Sequence, residues 1–321
     1  MKLLTVCVGD TFHPSVAVGD DVLDLVVARE VIALASDVPD RMTALLAGGA
    51  DTLSLIARIV ALVADPETRE HLVSAAALVP FSKIILGPVV PDPDLVLSGS
   101  MNSHGHLNEM GDQPPSYPCA FHKVRSALSA SGSAIVPPPG HGHMLDWEGE
   151  LCLVIGARCH RVSVEEALDY VVGYTLMNDV SAREYVIPFV TAKGPAPTAQ
   201  AWERNVLGKN YPTFSPIGPV IVTKDELSSP FTYHMETLVN GEIMQSSTQE
   251  DLVFGPAEMV SYFSQFYVFA PGDIISMGSP PGVGMARKPQ VFLKEGDTVE
   301  VRVASIGSLI NTVASEGVAQ F

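Results

Sequence analysis

The segment LDWEGELCLVIG, residues 145–156, constrains the fold more than any other part of the sequence. Its apolar residues fall mostly on one parity, while Asp146, Glu148 and Glu150 fall on the other. Because successive side chains of a β-strand point to opposite faces, the three carboxylates would share one face at a spacing of about 7 Å. The pattern therefore predicts a strand with one apolar and one acidic face.

The acidic face has two interpretations. A strand with one solvated face shows the same pattern, and acidic residues there need no function. Alternatively the face binds a cation, because three neighbouring negative charges repel one another and few cations in the segment relieve them. The choice between the two depends on what the rest of the chain supplies.

Composition limits the classes of partner. The chain has 321 residues, a hydrophobic content of 47% and a formal net charge of −17. This length allows one large domain, or one domain with a small appendage. The acidic balance argues against nucleic acids and anionic membranes, since phosphate contacts need clusters of Lys and Arg. It does not exclude an anionic substrate, because a local cation or metal can reverse the field within one cleft.

Cysteine usage and apolar runs indicate the cellular compartment. The four cysteines form no C-x-x-C pair and are Cys7, Cys119, Cys152 and Cys159. Reduced thiols of this kind fit a cytosolic protein. The apolar run at the N-terminus is too short for a secretory signal, and LSLIARIVALVAD is too short and too amphipathic to span a bilayer. We expect a soluble, cytoplasmic protein.

The first part of the chain reads as a small α/β unit. Residues 1–30 alternate and predict two or three short strands, with a turn at residues 19–21. Residues 41–79 have helical spacing. The Pro-rich stretch LGPVVPDPDLV then predicts a connector, which divides the chain into a small N-terminal domain (1–88) and a larger domain (89–321).

The larger domain reads as mostly strands with few helices. We expect one helix that begins at a Ser163 cap and another in GPAEMVSYFSQF. The sequence NGE at residues 240–242 predicts a hairpin turn. Residues 184–212, which include Pro188, Pro195 and Pro197, are expected to form a long loop, and such loops are usually mobile or functional.

Asp179 extends the acidic set. It follows an apolar strand in GYTLMNDVSARE, and together with Glu148 and Glu150 it would give three hard oxygen ligands. Such a set without Cys or His suits Mg²⁺ or Mn²⁺. Taken alone, Asp179 has the commoner interpretation of a turn or cap residue. A rival Zn²⁺ site would use His141 and His143 with a Glu, although no third His or Cys has suitable spacing.

Further residues are candidates for chemistry. His106 and Glu109 are three residues apart, so one helical turn would bring them together, and a carboxylate beside an imidazole raises its basicity. Such a pair is also a common surface salt bridge. Lys209 and Arg183 could bind an anion, although each would by default be a solvated cation. The glycine-rich MGSPPGVG lacks the Gly-Lys-Ser/Thr of a phosphate loop.

Four segments together resemble the fumarylacetoacetate hydrolase family from about Pro91 to the C-terminus. They occur in the family's order and approximate spacing, and they are LDWEGELCLVIG, GYTLMNDVSAREY, GKNYPTFSPIGPVIVT and the stretch from NGEIMQSSTQEDLVFGPAEMVSYFSQF to APGDIISMGSPPGVG. The resemblance implies a mixed α+β, β-rich fold, with a β-sandwich roll as catalytic domain. It also implies a homodimer, a cation (Mg²⁺ or Mn²⁺, with Ca²⁺ possible in crystals) and a role in aromatic or sugar acid catabolism.

The resemblance also implies a role for each candidate residue. It makes Glu148, Glu150 and Asp179 the metal ligands and Asp146 a residue behind them. His106, Glu109 and Lys209 match the catalytic positions, with the first two on a segment that closes over the site, and Arg183 and Ser279 match substrate-contacting positions. The sequence departs from the family at residues 100–103, at Ser279 where Thr is common, and in the longer stretch between Asp179 and Lys209.

The resemblance implies chemistry on 2-oxo acids. We expect a hydrolase that cleaves a C–C bond in a 2,4-diketo acid or acylpyruvate, with water activated by the His106–Glu109 pair and a pyruvate-type enolate stabilised by the metal and Lys209. The alternatives are an oxaloacetate-type decarboxylase or a keto–enol isomerase on the same metal site, and a non-catalytic ligand-binding member of the family.

Overall fold

The computed structural model describes residues 1–227 and 232–317. Within these residues the α-helices are α1 (Met42–Ala47), α2 (Gly49–Leu62), α3 (Pro66–Ser74), α4 (His104–Met110), α5 (Val186–Thr191), α6 (Pro195–Leu207) and α7 (Pro256–Ser264). The strands are β1 (Lys2–Val8), β2 (Thr11–Val18), β3 (Asp21–Asp24), β4 (Leu78–Pro80), β5 (Val96–Ser100), β6 (Cys119–His122), β7 (Leu128–Ser129), β8 (Ala134–Ile135), β9 (Leu145–Asp146), β10 (Gly149–Ile155), β11 (Val171–Asn178), β12 (Ser181–Ala182), β13 (Ser215–Thr223), β14 (His234–Val239), β15 (Glu242–Thr248), β16 (Ile274–Ser276), β17 (Thr298–Val303) and β18 (Gly307–Val313).

The strands of the described part of the chain form three sheets. The largest has the order β4-β3-β2-β1-β13-β11-β10-β16-β5-β6, with β7 beside β13. A second sheet has the order β15-β14-β17-β18-β8, and β9 pairs with β12. The fold is mixed α+β and rich in strands, as the sequence analysis expected.

Strand β10 lies at the centre of the large sheet and is buried along its whole length. Its side chains enter two separate cores: Cys152 and Val154 pack with the N-terminal helices, and Leu151 and Leu153 pack with α7. A strand buried on both faces cannot have a solvated acidic face. The solvent-exposed interpretation of the alternating segment is therefore wrong.

The N-terminal strands continue the large sheet. β1 pairs antiparallel with β13, and Leu3 lies opposite Ile221. The hydrophobic core around Leu3 also contains Ile217 and Val154 from the rest of the chain. The division into domains 1–88 and 89–321 stays a prediction, and the hydrogen bonds of the sheet cross it.

Several local predictions are confirmed. Strands β1–β3 and helices α1–α3 occupy the expected stretches, and α3 begins at Asp65, whose carboxylate accepts a hydrogen bond from the backbone N–H of Thr68. Asn240 and Gly241 have φ values of 52° and 82°, which suit the tight turn that joins β14 and β15.

Two local predictions are wrong. After Ser163 the chain forms only a short 3₁₀ turn, Ala167–Tyr170, and β11 follows directly from Val171. The expected long loop at residues 184–212 contains α5 and α6. Prolines are common in loops, but Pro195 occupies the first position of α6, where its fixed φ suits a helix start.

Among the helices of the described residues, none combines the length and the apolar character that crossing a membrane requires.

Candidate active site

The register of β10 and β11 brings the acidic residues together. Gly149 lies opposite Asn178, so Glu148 and Asp179 leave adjacent strand ends on the same side. The backbone N–H of Asp179 donates to the carbonyl oxygen of Glu148 at 2.8 Å. With Glu150, one carboxylate oxygen from each of the three residues lies within 4.8 Å of the others. The three side chains predicted as metal ligands therefore form one buried cluster.

Two lysines compensate the charge of this cluster. The ammonium of Lys209 donates to Glu148 Oε2 at 2.5 Å, to Asp179 Oδ2 at 2.7 Å and to Ser181 Oγ at 2.8 Å. Lys123 approaches from the other side and donates to Asp179 Oδ1 at 2.5 Å. All three N–H groups of Lys209 are used, so it acts here as a fixed positive charge.

Arg183 lies behind Glu148. Its guanidinium donates to Glu148 Oε1 at 2.5 Å and to Asp146 Oδ2 at 2.8 Å. Asp146 also accepts hydrogen bonds from the backbone N–H groups of Gly284 and Met285. Asp146 thus reaches the cluster only through Arg183, and the predicted substrate-contacting Arg183 contacts a carboxylate of the cluster. Its role toward substrate stays a prediction.

The pKa values of the acids reflect these neighbours. Burial and the charges of Asp179 and Glu148 raise the pKa of Glu150 well above its usual value. Burial acts in the same direction on Glu148, but Arg183 and Lys209 outweigh it and hold the pKa of Glu148 well below its usual value. Burial lowers the pKa of Lys123. Glu150 is therefore the carboxylate whose charge the protein compensates least.

Helix α4 carries the predicted base. Its first residues are fixed by Ser103, whose hydroxyl accepts from the backbone N–H of His106 at 2.9 Å and donates to Asp251 at 2.5 Å. His106 Nδ1 lies 2.7 Å from Glu109 Oε1, as the three-residue spacing predicted. Glu109 also accepts from the backbone N–H of Gly282, at 3.1 Å to Oε1 and 3.0 Å to Oε2. The pair is thus held against the loop that follows Ser279.

A cavity of about 150 Å³ joins these groups. Its polar lining includes Glu148, Glu150, Lys209, His106 and Ser279, and Ser279 Oγ accepts a hydrogen bond from Gln245 at 2.8 Å. The cavity is also lined by Met101, Leu107, Met110, Asp112, Phe121, Trp202 and Asn205. The structure therefore brings the predicted catalytic and metal-binding side chains to one small cleft.

The rival zinc site receives no support from the geometry. The ring of His141 packs against the rings of Tyr185 and Tyr211, with centroid distances of 5.3 and 6.3 Å. Among the described residues, the group of metal-ligating side chains close enough to share an ion is the carboxylate cluster, which does not include His141 or His143.

Sequence reasoning missed four polar residues of the site. Lys123 directly follows β6, and Ser98 and Ser276 lie on β5 and β16, where their hydroxyls reach Glu150 Oε2. Asn205 lies on α6, in the stretch expected to be a loop. A lone Lys after an apolar strand gives no periodic signal. The pairing of β5, β6 and β16 places Ser98, Lys123 and Ser276 near the cluster, and α6 places Asn205 in the cavity lining.

The cluster fits a hard divalent cation. Its oxygen donors are those that Mg²⁺ and Mn²⁺ prefer. Glu150 Oε1 accepts no hydrogen bond from the described residues, although Glu150 lines the cavity. Within the cluster and its direct partners, the buried carboxylates exceed the buried cations by one, the two sets being Asp146, Glu148, Glu150 and Asp179 against Lys123, Arg183 and Lys209. A cation beside Glu150 would offset this excess.

Comparison with known proteins identifies the family. A model of the fumarylacetoacetate (FAA) hydrolase C-terminal domain matches residues 96–314. The human protein named oxaloacetate tautomerase FAHD2B, mitochondrial, is 35% identical over 275 residues, which cover 86% of this chain and 80% of that protein.

Solved structures agree with this match. Fumarylacetoacetate hydrolase from Exiguobacterium antarcticum is 25% identical, with a TM-score of 0.74 over 98% of this chain and 100% of that one. Maleylpyruvate hydrolase from Sphingobium sp. SYK-6, solved with manganese(II) and pyruvate, is 26% identical, with a TM-score of 0.68 over 99% of this chain and 100% of that one.

The fold and the site define a class, that of strand-rich proteins with a buried pocket of carboxylates suited to a hard cation. Within that class, the chain belongs to the fumarylacetoacetate hydrolase family. Members of this family are enzymes that act on small keto acids. The resemblance inferred from the four sequence segments is confirmed.

Proposed function

We propose that the protein catalyses proton transfer at C3 of a 2-oxo acid that carries a second carbonyl group at C4, and so interconverts its keto and enol forms. The proposal rests on the position and the hydrogen bonding of the His106 ring. Its Nδ1 is held by Glu109 at 2.7 Å, and its Nε2 has no hydrogen bond within the described residues, while the side chain lines the cavity beside Glu148. An imidazole held in this way is a suitable general base.

The roles of the residues follow from their positions. With Glu109 accepting from Nδ1–H, Nε2 of His106 carries the lone pair and removes a proton from C3, the acidic carbon between two carbonyl groups. The electron pair moves toward C2, and negative charge develops on the 2-oxo oxygen. The positive charge of the buried Lys209 stabilises this negative charge. Return of the proton to oxygen gives the enol, and its return to C3 gives the keto form.

Glu148, Glu150 and Asp179 would hold Mg²⁺ or Mn²⁺. When bound, such a cation supplies a Lewis acid for the 2-oxo group and the adjacent carboxylate. The protein orients Glu148 through Arg183 and Lys209, and it orients Asp179 through Lys209. The hydroxyls of Ser98 and Ser276 hold Glu150.

The name of the human relative supports tautomerisation as the first candidate, since oxaloacetate has carbonyl carbons at both C2 and C4. A second candidate is hydrolytic cleavage of the C3–C4 bond of an acylpyruvate. It is favoured by the same His106–Glu109 pair, which could deprotonate water instead of C3, and by the name of the maleylpyruvate hydrolase neighbour. Both reactions need the same carboxylates, Lys209 and base.

His106→Ala tests the proposal, with His104→Ala as the matched control from an exposed position of the same helix. Loss of a positioned base typically lowers the rate by about 10² to 10⁴. We expect that loss in the relaxation of the freshly dissolved enol of oxaloacetate or acetylpyruvate, followed by ultraviolet absorbance at saturating Mn²⁺. The control should keep the wild-type rate, and both variants should keep wild-type Mn²⁺ affinity.

The same samples separate the two candidates. Enol relaxation without release of acetate and pyruvate from acetylpyruvate supports the tautomerase, and release of both products supports the hydrolase. An unchanged relaxation rate in His106→Ala would overturn the assignment of His106 as the base.

A further inference from the structure

Asn205 is a buried polar residue in the lining of the cavity. Asn205 is 7% exposed and lines the cavity, and its carboxamide makes no hydrogen bond to the described residues. Buried amides are nearly always hydrogen-bonded, because an unpaired one costs free energy. The carboxamide is therefore available to a ligand that enters the cavity.

The position of Asn205 relates it to the acidic cluster. It precedes Lys209 by four residues, and the backbone N–H of Lys209 donates to the carbonyl oxygen of Val206 at 3.1 Å, so the helical path continues past the end of α6. Residues four apart lie on one helix face, with Cβ atoms roughly 5–6 Å apart. A small acid bound at the cluster by its 2-oxo end would thus extend toward Asn205.

The neighbours of Asn205 are mostly apolar. Phe121 and Trp202 meet edge to face at 6.4 Å, and Leu107 completes this wall. Lys209 is near these apolar residues, with its Nζ 5.3 Å from the centre of the Phe121 ring. Its three N–H groups are already donated to protein oxygens, and Asp112 adds a negative charge to the lining. A second carboxylate of the ligand would lose water here without gaining a free N–H of a cation, whereas a neutral carbonyl needs only one N–H donor.

The end of α6 is fixed to the rest of the fold. The carbonyl oxygen of Gly208 accepts from the backbone N–H of Ala182 at 3.0 Å, and Asn210 Nδ2 donates to the carbonyl oxygen of His122 at 3.1 Å. The guanidinium of Arg204 lies 5.1 Å from the centre of the Tyr185 ring. Asn205 is thus held in place before a ligand arrives, which favours selectivity.

From these observations we propose that Asn205 binds the far end of the substrate: its Nδ2 donates a hydrogen bond to the C4 carbonyl oxygen, while the apolar lining and Asp112 favour 2,4-dioxo acids with an uncharged C4 substituent. This inference rests on the proposed function and deepens it. Acetylpyruvate, with a methyl ketone at C4, is therefore a better substrate than oxaloacetate, which has a carboxylate there.

The test compares Asn205→Ala and Asn205→Asp with the control Gln200→Ala, an exposed residue of the same helix. Each Mn²⁺-loaded protein is assayed for kcat and KM of enol relaxation with acetylpyruvate and oxaloacetate. Binding of oxalate, which has no C3 or C4, is measured by calorimetry. Wild type should have a kcat/KM about tenfold higher for acetylpyruvate, because the second carboxylate of oxaloacetate would lose water beside apolar side chains and the like charge of Asp112.

Asn205→Ala should lose about tenfold in kcat/KM for acetylpyruvate, mostly through KM. Asn205→Asp should disfavour oxaloacetate further, because it adds a like charge. All variants should bind oxalate as wild type does, and Gln200→Ala should match wild type throughout. A wild-type preference for oxaloacetate, or an unchanged KM for acetylpyruvate in Asn205→Ala, would overturn the inference.

If the proposed function is wrong, the same experiments give a different result. If wild type converts neither compound, competition of acetylpyruvate with oxalate still measures the contribution of Asn205 to binding. Weaker competition in Asn205→Ala would support the role of Asn205, and equal competition would reject it.

Discussion

Lys123 has no access to the chemistry and yet holds the acidic cluster in place. Its side chain is buried, and its ammonium donates to Asp179 and to the carbonyl oxygens of Lys209 and Phe214. Removing one partner of a buried ion pair leaves the charge of the other partner less compensated. The cost in free energy is larger than the free energy that an exposed ion pair contributes.

Lys123→Met should therefore lower the free energy of unfolding by about 3–5 kcal/mol, measured by urea denaturation of the chelator-treated protein. Lys193→Met, at an exposed position, is the control and should change it by less than about 0.5 kcal/mol. Equal midpoints for the two variants would show that Lys123 does not compensate Asp179.

The site residues that could be predicted from the sequence are those that lie in a regular pattern or in a family motif. The positions of Glu148, Glu150 and Asp179 follow from strand parity and the family resemblance, and the spacing of His106 and Glu109 indicated their contact. Lys123 and Asn205 could not be found in this way, because contacts between segments distant in sequence place Lys123 against Asp179 and Asn205 in the lining of the cavity.

At the scale of elements, α4 positions the base through its contact with the loop at residues 279–282. The Gly105 N–H donates to Asp251 Oδ1 at 2.8 Å, and Glu109 accepts from Gly282. A Cβ added at Gly105 would lie 2.7 Å from Cγ of Pro281 and 3.1 Å from Asp251 Oδ1. Since such contacts are too short, any side chain at residue 105 must displace α4 from the loop.

We expect Gly105→Ala to lower kcat about tenfold to a hundredfold, because a misplacement near 1 Å can cost that much, while Mn²⁺ affinity stays unchanged. Asn108→Ala, at an exposed position of α4, serves as control and should leave both quantities unchanged. Steady-state kinetics and metal titration of the two variants check this. A wild-type kcat in Gly105→Ala would mean that the contact does not position His106.

Helices and strands with a regular pattern of apolar residues or a specific turn sequence could be predicted. Segments whose secondary structure depends on packing against the rest of the fold could not. The alternation in β10 and the Asn-Gly turn before β15 identified their structures. The prolines of the segment before Lys209 indicated a loop, whereas the structure places Pro188 and Pro195 in the first turns of α5 and α6. A proline near a helix start and a proline in a loop look alike in sequence.

For the whole molecule, the large sheet links the N-terminal strands to the site. β1 pairs with β13, and β13 pairs with β11, which leads directly to Asp179. The N-terminal residues thus contribute to the core that supports the cluster, although the sequence indicated no chemistry for them. The homodimer and the cytoplasmic location remain predictions.

The central claim is that the buried carboxylates hold a divalent cation on which the reaction depends. The most direct measurement is the rate of enol relaxation in chelator-treated protein during a titration with Mn²⁺, for wild type and for Glu150→Gln. A neutral amide is a poorer ligand than a carboxylate for a hard cation. Wild type should lose its activity on chelation and regain it with one Mn²⁺ per chain, and Glu150→Gln should need far more Mn²⁺. Full activity in the chelated wild type, or identical titrations for the two proteins, would contradict the account.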